Sequence, residues 1–303
     1  MSRLSLGASL YSNEFRSKRL PTSEGMHRGE RMKISSLSLL FLVSTLGTVL
    51  YGQADVLLPV AKPEEVGLDP KKLEAVDEKM EALIEENRLT GGTVVIARKG
   101  KVAHFETYGL RNREEELPVE KDTIFRIYSM TKAITSVAAL MLNEEGKLSL
   151  DDPLSKYFPS LKAMKVLDKD ELVDATSELT VADLLRHTSG LTYAWSSNNK
   201  IRQALKDAGV LNRDKQLVPM VNGMDRVPLL FQPGSDWVYG CSTDVLGAVV
   251  EVASGIALDR FFRERIFKPL QMVDTEFYVP ANKADRFAAN YNYKDGKLTL
   301  KDD

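Results

Sequence analysis

A run of helix-spaced apolar residues, Ala133, Ile134, Val137, Ala138, Leu140 and Met141, follows the cluster Ser129-Met130-Thr131-Lys132 and stops at Gly146. A helix this apolar needs cover from other elements, which puts it near the centre of a fold and fixes Ser129 at its start. The elements available to cover it are mostly helical. Asp69 is placed to cap a helix through Leu73, Val76, Met80, Leu83 and Ile84, with Gly91-Gly92 expected to break it. Asp244 to Ala253, ended by Ser254-Gly255, and Leu258 to Phe267, before Pro269, read as two further helices. Strand signals are confined to Thr93–Arg98 and Lys101–Tyr108, joined as a hairpin at Lys99-Gly100. From Asp151 to Asn222 the chain is polar and loop-rich, with short helical stretches near Val181–Arg186 and Ile201–Ala208, and Gln232-Pro233-Gly234-Ser235 is a turn. Helix, hairpin, then a mainly helical body is an α+β order, without the regular strand–helix alternation of a parallel sheet.

Composition narrows the chemistry. A formal net charge of -2 on 303 residues offers no basic footprint for nucleic acid. The single cysteine, Cys241, excludes an internal disulfide and a zinc-type cysteine cluster. The three histidines, His27, His104 and His187, lack the spacing of a helical metal site, so metal-dependent hydrolysis is not expected. Near the N-terminus, Met32-Lys33 precedes a mostly apolar run from Ile34 to Leu50 and the small residues Gly52 and Ala54. These are the parts of a secretory signal over residues 32–54, and the run is too rich in Ser, Thr and Gly for a stable membrane anchor. Export to a periplasmic or secreted location is therefore expected. Residues 1–31 read as an unstructured leader or a start placed too early, which leaves 55–303 as the folded part.

The S-x-x-K pattern at Ser129 places a serine and a lysine one helical turn apart on one face. Lys132 can take the hydroxyl proton if its surroundings depress its pKa, and backbone N–H groups at a helix start can stabilise an oxyanion. With 22 serines and 23 lysines in the chain, one or two such matches arise by chance. The second match, Ser197-Asn198-Asn199-Lys200, lies in a polar segment that reads as a loop with a helix cap. Context selects Ser129.

The segment Phe125-Arg126-Ile127-Tyr128-Ser129-Met130-Thr131-Lys132 resembles the nucleophile region of the class C β-lactamase-related serine hydrolases, which include carboxylesterases, D-amino-acid peptidases and penicillin-recognising enzymes. Further matching stretches follow in the same order: Leu184 to Leu191, Phe231-Gln232-Pro233-Gly234 with Trp237-Val238-Tyr239, and Pro269-Leu270-Gln271-Met272 with Asp274-Thr275. The resemblance spans about Glu64 to Tyr293. It implies a β-lactamase/transpeptidase-like fold, an antiparallel sheet with flanking helices and a mainly helical subdomain. It also implies Ser129 as nucleophile, with Lys132 and Tyr239 sharing proton transfer and no cofactor.

Two departures bear on activity. Cys241 stands where the resemblance leads one to expect an asparagine after Tyr239-Gly240, which weakens the case for a β-lactam or peptide substrate. No Lys-Thr-Gly-like third motif follows Tyr239, so the sheet is expected to be incomplete. A truncated reading frame, completion by a second polypeptide, or a degenerate family member would each account for that. His187, with Asp183 or Asp244 as orienter, offers a Ser-His-Asp alternative, but the matching His-Thr-Ser-Gly-Leu stretch reads as a structural turn. Met130 is expected to pack. The leading function is hydrolysis of a small carboxylic ester through an acyl-enzyme, ahead of amide or β-lactam turnover by a penicillin-recognising enzyme. A non-catalytic exported binding protein or inactive fragment is the answer of a different class. Substrate identity and oligomeric state are not legible.

Overall fold

The computed structural model describes residues 58–194, 198–210, 212 and 215–302; the expected leader and secretory signal lie outside them. Helix α1 (Pro70–Glu85) begins where the Asp69 carboxylate accepts the Lys71 N–H at 3.0 Å, with Pro70 in the first turn, where its missing N–H is harmless. It ends at Glu85, before left-handed Asn87, and not at Gly91-Gly92. Those glycines open β1 (Gly91–Arg98) instead. A Cβ on Gly91 would lie 2.6 Å from the Tyr108 carbonyl oxygen, so the residue serves close strand pairing rather than helix breaking. Strand β2 (Lys101–Asn112) pairs antiparallel with β1 through a tight turn at Lys99 and Gly100, both at positive φ, as the Lys-Gly pair led us to expect. A short β3 (Leu117–Pro118) adds to the far edge of β2. Asp77 of α1 accepts a hydrogen bond from Tyr108 and lies 3.0 Å from His104 Nε2, which ties the helix to β2.

Helix α2 (Thr131–Glu144) forms as the apolar run demands, but of the apolar residues expected on its buried side, Ala133, Ile134, Val137, Ala138, Leu140 and Met141, only Ala138 is fully buried. Thr135, Ala138, Ala139 and Leu142 are buried, while Ala133 is exposed and Val137 and Leu140 are 46% and 42% exposed. The apolar positions run round most of the helix, and periodicity alone cannot say which stripe meets its neighbours.

The stretch read as loop holds more structure than expected. Strands β4 (Lys165–Asp168) and β5 (Glu171–Asp174) form a hairpin on Lys169 and Asp170, both left-handed. Helix α3 (Val181–Arg186) carries a capping box between Thr180 and Asp183. In α4 (Asn199–Asp207), the Asn198 side chain accepts the N–H groups of Lys200 and Ile201, so the second S-x-x-K match does run into a helix cap. Ser197 itself is outside the described residues. Helix α5 (Leu217–Asn222) follows.

Helix α6 (Ser242–Ser254), ended by left-handed Gly255, is the main partner of α2. Gly247 lets its neighbours close in: a Cβ there would meet Leu258 and Leu217 side chains at 2.9 and 3.0 Å. Helix α7 (Leu258–Phe262) widens into a π-helical turn over Arg263–Phe267, before Pro269. The core of the helical body collects Leu142, Leu154, Phe158, Leu184, Leu246, Phe261 and Phe262. The hairpin of β6 (Asn290–Lys294) and β7 (Lys297–Asp302), turning on Asp295-Gly296, lies against the segment before α2, where Ile124 bridges Phe287. All strand pairing within these sheets is antiparallel, and among the described residues the strands form three small sheets, β1-β2-β3, β4-β5 and β6-β7. No described helix is long and apolar enough to cross a membrane.

Candidate active site

Ser129 sits in a single 3-10 turn, Tyr128–Met130, that runs directly into α2. Its predecessor Tyr128 is left-handed at φ 41°, a conformation that costs a non-glycine residue about 1 kcal/mol or more. Strand β6 and the residues just before it hold the turn in that shape: Asn290 donates to the Tyr128 hydroxyl at 2.5 Å, and Arg126 donates to the Ala288 carbonyl at 2.6 Å. The Lys301 ammonium lies 5.4 Å from the Tyr128 ring centre.

The three residues selected from sequence come together across more than a hundred positions of chain. Ser129 Oγ and Tyr239 Oη are 2.6 Å apart. Lys132 donates toward Ser129 Oγ at 3.4 Å, and its ammonium lies 4.7 Å from the Tyr239 ring centre. Burial alone would raise the Tyr239 phenol. Hydrogen bonds with Lys132 and Ser129, together with the lysine's positive charge, outweigh that and bring it below the ordinary value of 10.0. A phenol so placed ionises more readily, and its phenolate, stabilised by the adjacent ammonium, can accept the serine proton.

His187 lies beside Tyr239 and not beside Ser129. Its ring stacks on the phenol with centroids 5.1 Å apart and planes at 24°, and Trp237 meets it edge-on at 6.3 Å. Neither expected orienter engages it. Asp183 serves Thr180, Thr188 and Arg186, and Asp244 accepts from Tyr193 at 3.2 Å. Burial, and then the charge of Lys132, hold the imidazole below its ordinary pKa of 6.5. The turn role expected for this stretch is present in detail. Ser189 is buried, accepts the Leu191 N–H at 3.2 Å and bonds Ser242 at 2.9 Å, while Gly190 is left-handed.

One other residue differs from expectation. Met130, expected to pack, is 71% exposed at the mouth of the site, because it occupies the outer side of the 3-10 turn. Cys241 is fully buried, donates to the Thr192 carbonyl at 3.3 Å, and has its thiol pKa pushed up by burial. It therefore braces the loop behind Tyr239. Tyr193 and Asp244 were not picked out together. The Tyr193 ring lies 6.0 Å from that of Tyr239, its phenol is raised by burial and by Asp244, and burial likewise raises Asp244. No spacing rule could have paired residues 51 positions apart on a loop and a helix. Among the described residues no group of three or more His, Cys, Asp or Glu side chains is arranged to hold a metal.

The comparisons agree with this architecture. The Beta-lactamase family model matches residues 76–302. Esterase EstB of Burkholderia gladioli is 34% identical over 76% of the chain and 57% of its own length. Lovastatin esterase of Penicillium rubens is 34% identical over 69% of the chain and 54% of its own length. Among solved structures, EstCE1, described as a hydrolase with promiscuous acyltransferase activity, superimposes with a TM-score of 0.66 at 28% identity, covering 76% of this chain and 58% of its own. The chain thus spans a little over half the length of these relatives. The matched residues take in Ser129, Lys132 and Tyr239, and the chain belongs to the β-lactamase family, with the α+β, β-lactamase/transpeptidase-like fold of its esterase and penicillin-binding members.

Proposed function

We propose that the protein hydrolyses small carboxylic esters through an acyl-enzyme on Ser129. The observation that carries this reading is the 2.6 Å contact between Ser129 Oγ and a Tyr239 phenol whose pKa is lowered beside Lys132. In the first half-reaction Tyr239, as phenolate, takes the Ser129 proton while Oγ attacks the ester carbonyl, and the phenol then protonates the departing alcohol. In the second, water attacks the acyl-Ser129 ester, Tyr239 takes its proton, and the acid leaves as Ser129 regains a hydrogen. Lys132 stabilises the phenolate in both steps. The charge that develops on the carbonyl oxygen falls at the start of the turn and helix that carry Ser129, where the helix dipole favours it.

Esters are preferred over β-lactams for two reasons. Cys241 turns inward to Thr192 and offers no amide to a substrate side chain, and two of the similar proteins are esterases by name. The apolar surfaces of Met130 and Trp237, 71% and 60% exposed, flank the site and suit an apolar acyl or alcohol group. Export, inferred from residues 32–54 alone, would place the reaction outside the cytoplasm.

The test is labelling with a fluorophosphonate, with S129A as control, beside turnover of a p-nitrophenyl ester and of nitrocefin. Ester turnover and Ser129-dependent labelling with no nitrocefin cleavage are expected. Nitrocefin cleavage without ester turnover would replace the esterase reading, and absence of any label would remove the enzymatic one.

A further inference from the structure

We propose that His187 is a positioning residue that holds Tyr239 against Ser129 through its neutral imidazole, an inference that rests on the phenol's part in proton transfer. Its geometry is specific to that task. His187 closes α3 in the left-handed conformation, φ 60°, which turns its carbonyl and its ring toward the same segment. The carbonyl accepts the N–H of Val238 at 3.1 Å, and Nδ1 faces the N–H of Gly240 at 3.4 Å. One residue therefore engages the backbone on both sides of Tyr239, and its ring covers the face of the phenol between them.

The rest of the loop continues the template. Thr188 and Gly190 accept the N–H groups of Gly234 and Leu230, at 2.8 and 2.9 Å. Gly240 passes so close to the loop that a Cβ would lie 2.1 Å from the Leu191 carbonyl oxygen. Segments 187–192 and 230–241 are thus zipped together, and the imidazole is the side chain in that zipper that also touches the phenol.

The chemical state follows from the contacts. To accept from Gly240, Nδ1 must carry no proton, which leaves the single proton on Nε2. The charged and titratable groups about the ring favour this form. Lys132, from α2, opposes a second positive charge, while Tyr239 lies face-on and Asp183 of the same short helix is taken up by Thr180, Thr188 and Arg186. His187 does not reach Ser129 in this arrangement; it acts on the nucleophile through Tyr239.

Three variants test the proposal, with melting temperature as the control for folding. H187A removes the Nδ1 acceptor and the ring over the phenol while keeping the main-chain bond to Val238. H187N keeps an acceptor near the Nδ1 position and tolerates left-handed backbone, and H187Q carries its acceptor one bond too far. Fluorophosphonate labelling is resolved into a maximal rate and a half-saturating concentration, and the crystal structure of H187A is determined. A displaced phenol lowers the maximal rate of H187A by about 10²-fold with half-saturation changed less than about twofold, because small misplacements act on the chemical step. H187N recovers to within about tenfold of the parent, and H187Q does not. In the crystal structure of H187A, Tyr239 Oη leaves hydrogen-bond reach of Ser129. Parent-like labelling of H187A, equal rates for H187N and H187Q, or an unmoved Tyr239 would each overturn the proposal. If H187A does not fold, the H187N–H187Q pair decides it. A parent that takes no label defeats the reactive-serine reading, while the crystal structure still judges the positioning.

Discussion

Replacing Tyr239 by phenylalanine removes one oxygen from the site and little else. The ring retains its stack on His187 and its place 4.7 Å from the Lys132 ammonium, so the loop has no reason to move. For folding, the lost 2.6 Å contact is an ordinary hydrogen bond worth about 0.5–1.5 kcal/mol, and exposed Ser129 can turn to water instead. For the reaction, the loss is that of a positioned proton acceptor, about 10²–10⁴-fold. At about 1.4 kcal/mol per decade that amounts to about 3–5.5 kcal/mol on the barrier. Activity should therefore collapse while the melting temperature barely changes. The pH profile supplies a second, independent mark. The reactive form is the phenolate, so the parent's rate rises with pH through a phenol pKa lying below 10.0 and then levels. Y239F loses that rise, since the group whose ionisation produces it is gone from its place beside Ser129 Oγ. Initial rates on p-nitrophenyl acetate from about pH 6 to about pH 10, corrected for spontaneous hydrolysis, measure both effects. If Y239F keeps about a third of the parent's kcat/KM with the same profile, Tyr239 is a packing residue and the mechanism above is wrong.

Other perturbations test other levels of the structure. Gly240→Ala has no room for its methyl group, which would lie 2.1 Å from a backbone oxygen. It should open the 187–192 loop from the Tyr239 segment, lowering both melting temperature and labelling rate, whereas Gly255→Ala, at a helix end with open space, should affect stability alone. Leu142→Ala in the α2 core should cost about 2–5 kcal/mol in urea unfolding without altering the KM of the folded fraction. Asp274 is held at about 2 against an ordinary 3.8 by hydrogen bonds from Arg286 and Lys283. Its folded-state pKa is the lower one, so its contribution is complete above about pH 4 and fades as pH falls toward about 2. The difference in urea midpoint between the parent and D274N should follow that window, and a constant difference across it would contradict the assignment.

What the sequence disclosed depended on how local each signal is. The Asp69 cap, the Lys99-Gly100 turn and the Gly255 stop act within a few residues of chain, and each marks its element in the structure. The Asp295-Gly296 turn between β6 and β7 was an equally local signal and could have been read, since the flanking residues alternate as strands do. The Asp168–Glu171 turn was harder, because a Lys-Asp pair in left-handed conformation carries no glycine to announce it. The face of α2 was not legible at all. Val137 and Leu140 are as apolar as Leu142, and only the position of α6 decides which is buried.

The site divides along the same line, and His187 falls on the side that spacing does not encode. Ser129 and Lys132 are fixed to each other by helical pitch, so a three-residue spacing suffices to propose the pair. Tyr239 reaches Ser129 only after α3 and its following loop have built a surface to hold it, and no spacing encodes that approach. A histidine before a Thr-Ser-Gly turn can be a base, a cap or a support, and residue type alone leaves the three indistinguishable. The contacts separate them. A base would face Ser129 and have a carboxylate behind it. Here the carboxylates are bound to Thr180, Thr188 and Tyr193, and the ring faces a phenol and a backbone N–H. The same comparison reassigns Cys241. Its thiol is buried against the Thr192 carbonyl, so the position that lacks an amide toward substrate adds one more tie between the two segments that present Tyr239. A Cys241→Asn exchange puts this to the test, because an amide is larger than a thiol and has no free volume at a fully buried position. It should therefore loosen Tyr239 and slow ester turnover without creating nitrocefin cleavage. A gain of nitrocefin cleavage would mean that the side chain at 241 reaches the substrate, and the bracing role would have to be withdrawn.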